Sequence, residues 1–397
     1  MTKLNPSVRK LGWVSFLNDS SAEMVYPLLP AFLTTLGATP LTLGMLEGLA
    51  EATASLVKVV SGRLSDQRVP KKPLIVAGYL ISNLIRPLMG LASSPFFVIF
   101  LRVVDRLGKG LRSAPRHALI AAVTKKEDRG LAYGFHQGMD NWGGVVGPLL
   151  ASSLLLLPWF DPRHVFFFAV IPGLFCVGLT LSIASPPGAA ALRQELPPAR
   201  LRSPLNPQLL RFFGVQSVFS LAASSDTFLL LRAQNIGVPL SLIAVLWAFH
   251  NGVKAVFSKW GGRRSDRFGR RPSIVAGWLV YAIAYLGFGL TRSPSVVVWL
   301  FFFYAGFFAL TDGAEKALVA DLSDETNRGF AFGVSQGLSG GLLLVANLLM
   351  GFVWTQFGAT TAFVMCASLS GLAALMLLTF VAESAPGRST NARALEP

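Results

Sequence analysis

Charged residues are scarce in this chain of 397 residues. Only 14% of them are Asp, Glu, Lys or Arg, whereas 52% are hydrophobic. A soluble globular chain carries about 25% charged residues, so the composition argues against a disordered chain and against a soluble enzyme. The two cysteines, Cys176 and Cys366, are too few for a disulfide framework or for the usual ligand set of zinc. The sequence has no phosphate loop of the G-x-x-x-x-G-K-[ST] type, so we expect no ATP-driven activity. We also expect no cofactor and no resident metal.

Long apolar runs take the place of charge. A helix that crosses a bilayer needs roughly 20 mostly apolar residues. We therefore predict an all-α membrane protein with twelve transmembrane spans, numbered 1 to 12, at about 10–34, 41–65, 72–93, 96–123, 129–157, 162–184, 207–232, 239–262, 271–291, 294–320, 328–355 and 359–382. Spans 1, 4, 7 and 10 carry ionisable residues, which are costly in a bilayer unless they have a function or a partner.

Positive charge gives the chain a formal net charge of +15, and it alternates between the connections. Basic residues occur before span 1 and after spans 2, 4, 6 and 8, whereas the connections 35–40 and 94–95 carry no charge. Basic loops stay in the cytoplasm, so both termini are expected there. This pattern accounts for much of the excess charge without nucleic acid. The start of the chain lacks the cleavage pattern of a signal peptide, and we expect a multi-pass protein of a bacterial plasma (inner) membrane.

The chain repeats itself at an offset of 199 or 200 residues. Residues 62–66 match 262–266, and residues 129–134 match 328–333. We therefore predict an N-terminal six-helix half (1–184), a cytoplasmic linker rich in Pro, Ala and Arg (185–206), and a C-terminal six-helix half (207–397) with a short polar tail. Internal repeats in a polytopic membrane protein indicate a transporter whose halves rock around a site near the midplane.

The repeated loops carry a family resemblance that covers the whole chain. Gly62-x-Leu64-Ser65-Asp66-x-Arg68-x-x-Lys71-Lys72 resembles the signature loop between spans 2 and 3 of the major facilitator superfamily, and residues 262–271 match it in the second half. The resemblance implies that spans 1, 4, 7 and 10 line a central cavity, while spans 2, 5, 8 and 11 join the halves. An aspartate at a helix end among basic residues can pair with the other half in one state only; the alternative is that these residues only fix the topology.

Two shorter motifs resemble those of subfamilies. Arg106-x-x-x-Gly110 is similar to the span-4 motif of proton-coupled members. Gly143-x-x-x-Gly147-Pro148 resembles the antiporter motif of drug–proton exporters, although Ala151 and Ser152 stand where that motif has two further glycines. Together the motifs predict a conformational gate formed by Gly62, Asp66, Arg68, Gly262, Asp266, Arg267, Gly147 and Pro148.

Charged side chains on spans 1 and 4 are the candidates for chemistry. Span 4 carries a basic face, whose predicted substrate-binding residues are Arg102, Arg106, Lys109 and Arg112. Span 1 carries Asp19 and Glu23 four residues apart, and matching the depths of the two antiparallel helices places Glu23 level with Lys109 and Asp19 level with Arg112. A carboxylate whose protonation depends on conformation would couple transport to protons; the alternative is a static salt bridge.

The second half and spans 5 and 8 supply further candidates. Asp226, Asp312 and Glu315 are predicted to bind substrate, with an exposed cap or gate as the alternative for Asp312 and Glu315. His136 and Asp140 in span 5 are four residues apart and are predicted to take part in proton coupling. If spans 5 and 8 pack together, these two residues could instead form a polar contact with His250 and Lys254, or the histidines could bind a metal.

The sequence thus favours a proton-coupled secondary active transporter that works as a monomer and moves a small molecule, with export as the expected direction. The alternative within transport is a proton symporter or uniporter that imports an organic anion. A sensor would need an additional soluble domain, and an enzyme would need a nucleophile and a base at one depth. The Gly333-Val334-Ser335-Gln336-Gly337 segment fits the hydrolase G-x-S-x-G pattern, but it opens a predicted membrane helix rather than a strand–turn–helix. A passive channel would keep its flux when the span-1 carboxylates become amides.

Overall fold

The computed structural model describes residues 4–66, 70–125, 128–183, 206–323 and 328–382. Within these ranges every regular element is a helix, and the helices form the twelve predicted spans. Their bounds are, in chain order, Pro6–Val25 with Tyr26–Leu28 and Leu29–Thr35 (span 1), Pro40–Asp66, Lys71–Leu88 with Met89–Leu91, Pro95–Ala122, Arg129–Leu155, Pro162–Phe168 with Val170–Leu181 (span 6), Pro207–Ala222 with Thr227–Asn235 (span 7), Leu240–Phe268, Arg270–Leu290, Pro294–Asp321, and Arg328–Phe380, which holds spans 11 and 12.

Local sequence sets the ends of these helices. Proline occupies the first turn of spans 1, 4, 6 and 7, where its missing N–H costs no helical hydrogen bond. The side chains of Asn5, Ser94, Asp161 and Asn206 accept hydrogen bonds from the free backbone N–H groups just inside those helices. The long helix Arg328–Phe380 breaks at Gly358, whose φ of 87° is left-handed and open to glycine without strain. Spans 11 and 12 are therefore two passes joined by a very tight connection.

The two halves share their local geometry as well as their sequence. Gly37 and Gly237, 200 residues apart, both have positive φ values, 81° and 96°, in the connections that follow spans 1 and 7. In both connections the N–H after the glycine donates to a carbonyl five residues back, from Ala38 to Leu33 and from Val238 to Ala233. This hydrogen bond is part of the Schellman-type cap that ends a helix on a left-handed residue.

Spans 2 and 5 of the first half pack against spans 11 and 8 of the second half, respectively. Glycines allow the close approach: a Cβ at Gly44 in span 2 would meet the backbone carbonyl of Asn347 in span 11, and a Cβ at Gly351 would meet that of Pro40. Within the halves, span 1 packs on spans 5 and 6, and span 4 packs on spans 2 and 3. The family resemblance implied that spans 2, 5, 8 and 11 join the halves, and these contacts confirm it.

The halves meet at one end of the bundle and part at the other. Hydrogen bonds between the halves join Glu23 to Trp247, Tyr26 to Ser225 and Thr227, Leu41 to Thr355, Glu47 to Ser225, and Asn251 to Gly144. Toward the opposite end, where spans 5 and 11 begin, an added Cβ at Gly130, Gly134, Gly138, Gly333 or Gly337 would meet nothing within 4 Å outside its own helix. The open end is the one that the charge pattern predicts to be cytoplasmic.

Span 7 differs from its prediction as one continuous helix. It stops at Ala222 and restarts at Thr227, with residues 223–226 non-helical. Ser224, Ser225 and Asp226 occupy the break, and such short polar side chains compete with the helix for backbone groups. Because a helix break frees backbone groups inside the membrane, protein side chains must satisfy them. The amide N–H of Ser225 accordingly donates to Asn347 Oδ1 at 2.8 Å.

Six helices among the described residues are long and apolar enough to cross a membrane by length and composition alone. They are Lys71–Leu91, Pro162–Leu181, Leu240–Phe257, Arg270–Leu290, Pro294–Asp321 and Phe330–Phe380. The last of these, 51 residues long, contains two passes separated by Gly358. Among the described residues, spans 1, 2, 4, 5 and 7 fall short of the same criterion; spans 1, 4, 5 and 7 carry the candidate proton-coupling and substrate-binding side chains other than Asp312 and Glu315, which lie in span 10.

Candidate functional site

The basic face of span 4 is neutralised mainly by carboxylates of its own half. Arg102 Nη2 lies 3.5 Å from Glu47 Oε1 on span 2, and both side chains are 3% exposed. One turn further along, Arg106 and Lys109 lie 3.6 and 3.8 Å from Glu51 Oε1. Lys109 is the most open member of this face, with 45% of its side chain exposed. A buried charge needs a partner to offset its desolvation, and span 2 supplies it here.

Arg86 in span 3 holds a buried network that the sequence analysis did not single out. Its guanidinium lies 3.1 Å from Asp105 Oδ1 and also donates to Asn83 Oδ1, to the carbonyl oxygen of Asn18 and to Asn18 Oδ1. Arg102 adds a second, longer contact to Asp105 at 3.7 Å. A single arginine inside an otherwise apolar span is energetically costly in a bilayer. Its isolation in the sequence could therefore have marked Arg86 as a residue with a partner or a function.

The remaining arginines of span 4 point into the N-terminal half. Arg112 is 4% exposed, donates to Ser82 Oγ at 2.7 Å and lies 4.7 Å from the centre of the Tyr79 ring. Arg116 donates to Ser15 Oγ and Tyr79 Oη. Both Arg102 and Arg112 are buried against spans 2 and 3 in this structure, and the hypothesis that they bind substrate stays a prediction.

The ion pairs expected between spans 1 and 4 are not formed. Glu23 Oε2 instead accepts a hydrogen bond of 2.6 Å from Trp247 Nε1 in span 8, and Asp19 accepts one of 2.8 Å from the amide of Asn18. Among the described residues, no Lys or Arg nitrogen lies within 4 Å of either carboxylate. The pairing was wrong because span 4 packs on span 2 and hardly touches span 1, so that equal depth did not bring the side chains together.

His136 and Asp140 face the interior of the first half. Asp140 Oδ1 accepts a hydrogen bond from Ser15 Oγ in span 1, and the same hydroxyl accepts one from Arg116. His136 is 2% exposed and lies beside His117 of span 4, with ring centres 6.1 Å apart. The expected contact of these residues with span 8 is therefore not present. The polar contact between spans 5 and 8 is made by Asn251 Nδ2, which donates to the carbonyl oxygen of Gly144 at 3.0 Å.

Gly143 and Gly147 of the antiporter-like motif form the seam between spans 5 and 1. A Cβ at Gly143 would meet the carbonyl oxygen of Phe16, and one at Gly147 would meet that of Ser20. Pro148 is buried in the same helix. These glycines bring the backbone of span 5 against the stretch of span 1 that carries Asp19 and Glu23.

Asp226 lies at the break of span 7, close to the contact between halves. Its Oδ1 accepts a hydrogen bond of 2.6 Å from Tyr304 Oη in span 10, and its Oδ2 lies 4.0 Å from His250 Nε2. The adjacent Ser225 Oγ donates to Glu47 Oε2 at 3.4 Å, which links the break to the first half. Tyr26 of span 1 completes the crossing, because its hydroxyl accepts a hydrogen bond from Thr227 at 2.8 Å.

Asp312 and Glu315 are one turn apart in span 10 but have different surroundings. Glu315 Oε1 accepts a hydrogen bond of 3.0 Å from Trp278 Nε1 in span 9. Asp312 pairs with Lys316 at 2.6 Å, and both of these side chains are more than half exposed. Glu315 is thus partly enclosed by protein, whereas Asp312 belongs to an open ion pair on the same helix.

Much of the two signature loops lies outside the described residues. Gly62 lies in the described part of span 2, but Arg68 lies outside the described residues, as do the side chains of Asp66, Asp266 and Arg267. Gly262 falls inside the helix Leu240–Phe268. The linker at 185–206, apart from its last residue, and the tail after residue 382 also lie outside the described residues. The gate predicted for these loops stays a prediction.

One electrostatic feature unites the carboxylates nearest the gap between halves. Glu23, Asp226 and Glu315 each accept a hydrogen bond from a neutral Trp or Tyr, and Asp19 accepts one from an amide. Glu47, Glu51 and Asp105 are instead paired with arginine or lysine. Neutral donors stabilise a carboxylate less than a cation does, so the two groups of carboxylates differ in their electrostatic support.

Comparisons with known proteins agree with this architecture. The family model described as Major Facilitator Superfamily matches residues 11–253 and 212–396. The chain is 30% identical over 382 residues to an uncharacterized MFS-type transporter, MJ1317, of Methanocaldococcus jannaschii, with 95% of each chain covered. It is 26% identical over 331 residues to the multidrug resistance protein MdtH of Yersinia pestis, covering 79% of this chain and 78% of that one.

Solved structures show the same fold at lower identity. A bacterial homologue of the human lysosomal transporter Spinster, in an inward-facing and unoccupied conformation, superposes with a TM-score of 0.73 at 17% identity, covering 94% of this chain and 95% of that one. The nucleoside transporter NupG gives a TM-score of 0.76 at 12% identity, covering 95% of this chain and 99% of that one. Both comparisons bear on the fold alone.

Proposed function

We propose that this chain, a secondary transporter that belongs to the major facilitator superfamily, exports small organic cations in exchange for protons. The single observation that carries the proposal is the set of carboxylates described above that accept hydrogen bonds only from neutral donors. Glu23 is the central member, because its partner Trp247 belongs to the opposite half.

A transport cycle follows from this arrangement. In the observed state the closed end of the bundle is held in part by the Glu23–Trp247 hydrogen bond. Opening that end separates span 1 from span 8, which removes the donor and exposes the Glu23 carboxylate to the other side. Glu23 would then take up a proton, and a cationic substrate arriving from the open end of the present state would displace it. Binding that differs between the two states is the thermodynamic requirement for such coupling.

Asp19 and the pair Asp140–His136 would support proton movement next to Glu23. Asp19 lies one turn from Glu23 on the same helix, and Asp140 reaches the same region through Ser15. Arg106 and Lys109, together with Asp226, Asp312 and Glu315, would line the substrate path, while Gly147 and Pro148 would hold span 5 against span 1. The gate would include Gly62 and the loop residues Asp66, Arg68, Gly262, Asp266 and Arg267.

The relatives support export without fixing the substrate. MdtH of Yersinia pestis is named a multidrug resistance protein, and it is 26% identical to this chain over 331 residues. The antiporter-like glycines sit where they would control the seam beside Glu23. We also propose that both termini lie in the cytoplasm, because basic residues concentrate at that end, and that the protein is a monomer of a bacterial inner membrane.

Everted vesicles that are energised to an acidic interior test the proposal. A pH-sensitive dye reports proton release when a panel of cationic, anionic and neutral compounds is added. We expect release with cations for the wild type and loss of that release in Glu23→Gln and Asp19→Asn. Asp161→Asn is the matched control, because Asp161 is an exposed carboxylate at the start of span 6 and should leave release intact. No release with any compound would contradict proton-coupled export.

A second candidate is the import of an organic anion. It rests on Lys109, which has 45% of its side chain exposed and shares Glu51 with Arg106. An anion could draw Lys109 away from that shared carboxylate. Accumulation of labelled anions in right-side-out vesicles, lost in Lys109→Gln and kept in Glu23→Gln, would favour this function over export.

A further inference from the structure

His250 in span 8 is an unsatisfied histidine in the core of the second half. It is 0% exposed, and neither ring nitrogen has a hydrogen-bond partner. The imidazole is stacked between Trp247, at 5.2 Å and 17°, and Tyr304, at 5.4 Å and 10°. A neutral imidazole has one N–H donor and one acceptor nitrogen, so burying both without partners is unfavourable. Such a group in a packed core needs an explanation.

Asp226 supplies a partner at a distance just too long for a hydrogen bond. Its Oδ2 lies 4.0 Å from His250 Nε2, while its other oxygen is held by Tyr304 Oη at 2.6 Å. Asp226 also sits at the end of the non-helical break in span 7, so its backbone is not fixed by a continuous helix. A shift of about 1 Å would convert the 4.0 Å approach into a hydrogen bond of ordinary length.

Other titratable or charged groups surround the pair on each packed element. Lys254, one turn along span 8, has its Nζ 3.9 Å from the centre of the Phe308 ring in span 10. From the first half, Glu23 approaches through Trp247, and Glu47 approaches through Ser225. Tyr304 contributes the phenol. No arginine or lysine pairs with Asp226 within 4 Å among the described residues.

We propose that Asp226 and His250 form a second proton-binding site, in which one exchangeable proton is shared between the carboxylate and the imidazole. Before proton uptake the pair is a carboxylate beside a neutral ring. After uptake it is either a carboxyl group beside that ring or a carboxylate beside an imidazolium, and both forms remove one negative charge. The site was not identified from the sequence, because the two residues are 24 positions apart and meet only through the fold.

The second site adjoins the first through one indole. Trp247 stacks on His250 and donates its N–H to Glu23. A change at His250 therefore bears on the hydrogen bond that holds Glu23 in the closed end. The inference rests on the proposed function in one respect: if protons drive transport, two sites provide for two protons in each cycle.

Nitrogen NMR of ¹⁵N-histidine-labelled full-length protein in lipid nanodiscs tests the site without any transport. The chain has four histidines, and His250→Gln assigns one resonance set by its loss. We expect the His250 signals to titrate across the pH range of the experiment, and Asp226→Asn to move the midpoint of that titration. His164→Gln is the control, because that ring is exposed at the start of span 6.

Two results would overturn the proposal. One is a His250 resonance that stays constant across the range in the wild type. The other is a titration of His250 whose midpoint does not move in Asp226→Asn. Because wild type and Asp226→Asn suffice for both results, failure of His250→Gln to fold does not weaken the test, as His117→Gln, His136→Gln and His164→Gln assign His250 by elimination.

The proton stoichiometry of transport then separates the two proposals. We expect Asp226→Asn to reduce the protons exchanged for each substrate by one, measured as the shift in the pH gradient that balances a substrate gradient. Absence of proton-linked transport in the wild type, together with a coupled titration of His250, would refute the proposed function and keep the proton site.

Discussion

Replacing Arg86 by methionine should strongly destabilise the first half. Arg86 makes four contacts of 2.9–3.3 Å, to Asp105 Oδ1, Asn18 O, Asn18 Oδ1 and Asn83 Oδ1. Both ion-pair side chains are 3% exposed. Removing one partner of a buried pair leaves an uncompensated charge and costs about 3–5 kcal/mol.

The expected loss is toward the lower end of that range. Arg102 Nη1 remains 3.7 Å from Asp105 and partly compensates the carboxylate. We therefore expect Arg86→Met to lower the free energy of unfolding by about 3 kcal/mol, measured by reversible denaturation in mixed micelles. Arg292→Met is the control, because Arg292 is an exposed arginine between spans 9 and 10 and should change stability by less than about 0.5 kcal/mol.

A double variant tests whether the loss of stability comes from the unpaired Asp105 carboxylate. In Arg86→Met/Asp105→Leu the cation and the carboxylate both disappear, and buried ion pairs replaced by apolar groups are often tolerated. The double variant should therefore be more stable than Arg86→Met alone. A loss below about 1 kcal/mol in Arg86→Met would refute the view that this network is fully desolvated, and so would a double variant that is less stable than the single one.

Three further changes test other contacts. Gly147→Leu should separate spans 1 and 5 and cost about 1–3 kcal/mol by overpacking, seen as a loss of monodisperse protein in size-exclusion chromatography, whereas Gly138→Leu should be tolerated because a Cβ there meets nothing within 4 Å outside its own helix. Lys109→Gln should change stability by less than about 1 kcal/mol, since that side chain is 45% exposed, and a larger change in the unfolding midpoint would contradict this. Asp161→Ala should cost about 1 kcal/mol by loss of the helix cap. Although desolvation acts to raise the pKa of Asp161, its hydrogen bonds with His164 hold that pKa below the ordinary value. The stabilisation is therefore present above the unfolded-state pKa, and the melting temperatures of Asp161→Ala and wild type should converge as the pH falls through the folded-state pKa.

Hydropathy and the constant repeat offset were sufficient to predict the twelve spans and the two halves. The family resemblance added that spans 2, 5, 8 and 11 join the halves, and the structure pairs span 2 with span 11 and span 5 with span 8. These features are properties of whole helices, and each is supported by many residues at once. The partners of single side chains were harder to predict, as Lys109 illustrates. Depth placed it level with Glu23, but helix packing gave it Glu51.

The break in span 7 and the role of Trp247 had weaker signals. No proline or glycine lies between Ala222 and Thr227, so the usual markers of an interrupted helix are missing. Only the run Ser224–Asp226 hints at a local alternative to the helix. Trp247 is one of eight tryptophans, and nothing in its neighbourhood distinguishes a hydrogen-bond donor from a lipid-facing ring. Arg86, by contrast, could have been selected as an isolated charge in an apolar span.

The close glycine contact between spans 1 and 5 should make these two helices move together. Span 5 meets the other half at Gly144, whose carbonyl binds Asn251, and it carries span 1 with it through the adjacent glycines. Fixing the contact between Gly144 and Asn251 should therefore also fix the position of Glu23. Cys176 and Cys366 are both buried, so they should not compete with a disulfide between Gly144→Cys and Asn251→Cys. That disulfide should reversibly lock the proposed proton site on the neighbouring span 1, and a reductant should release it.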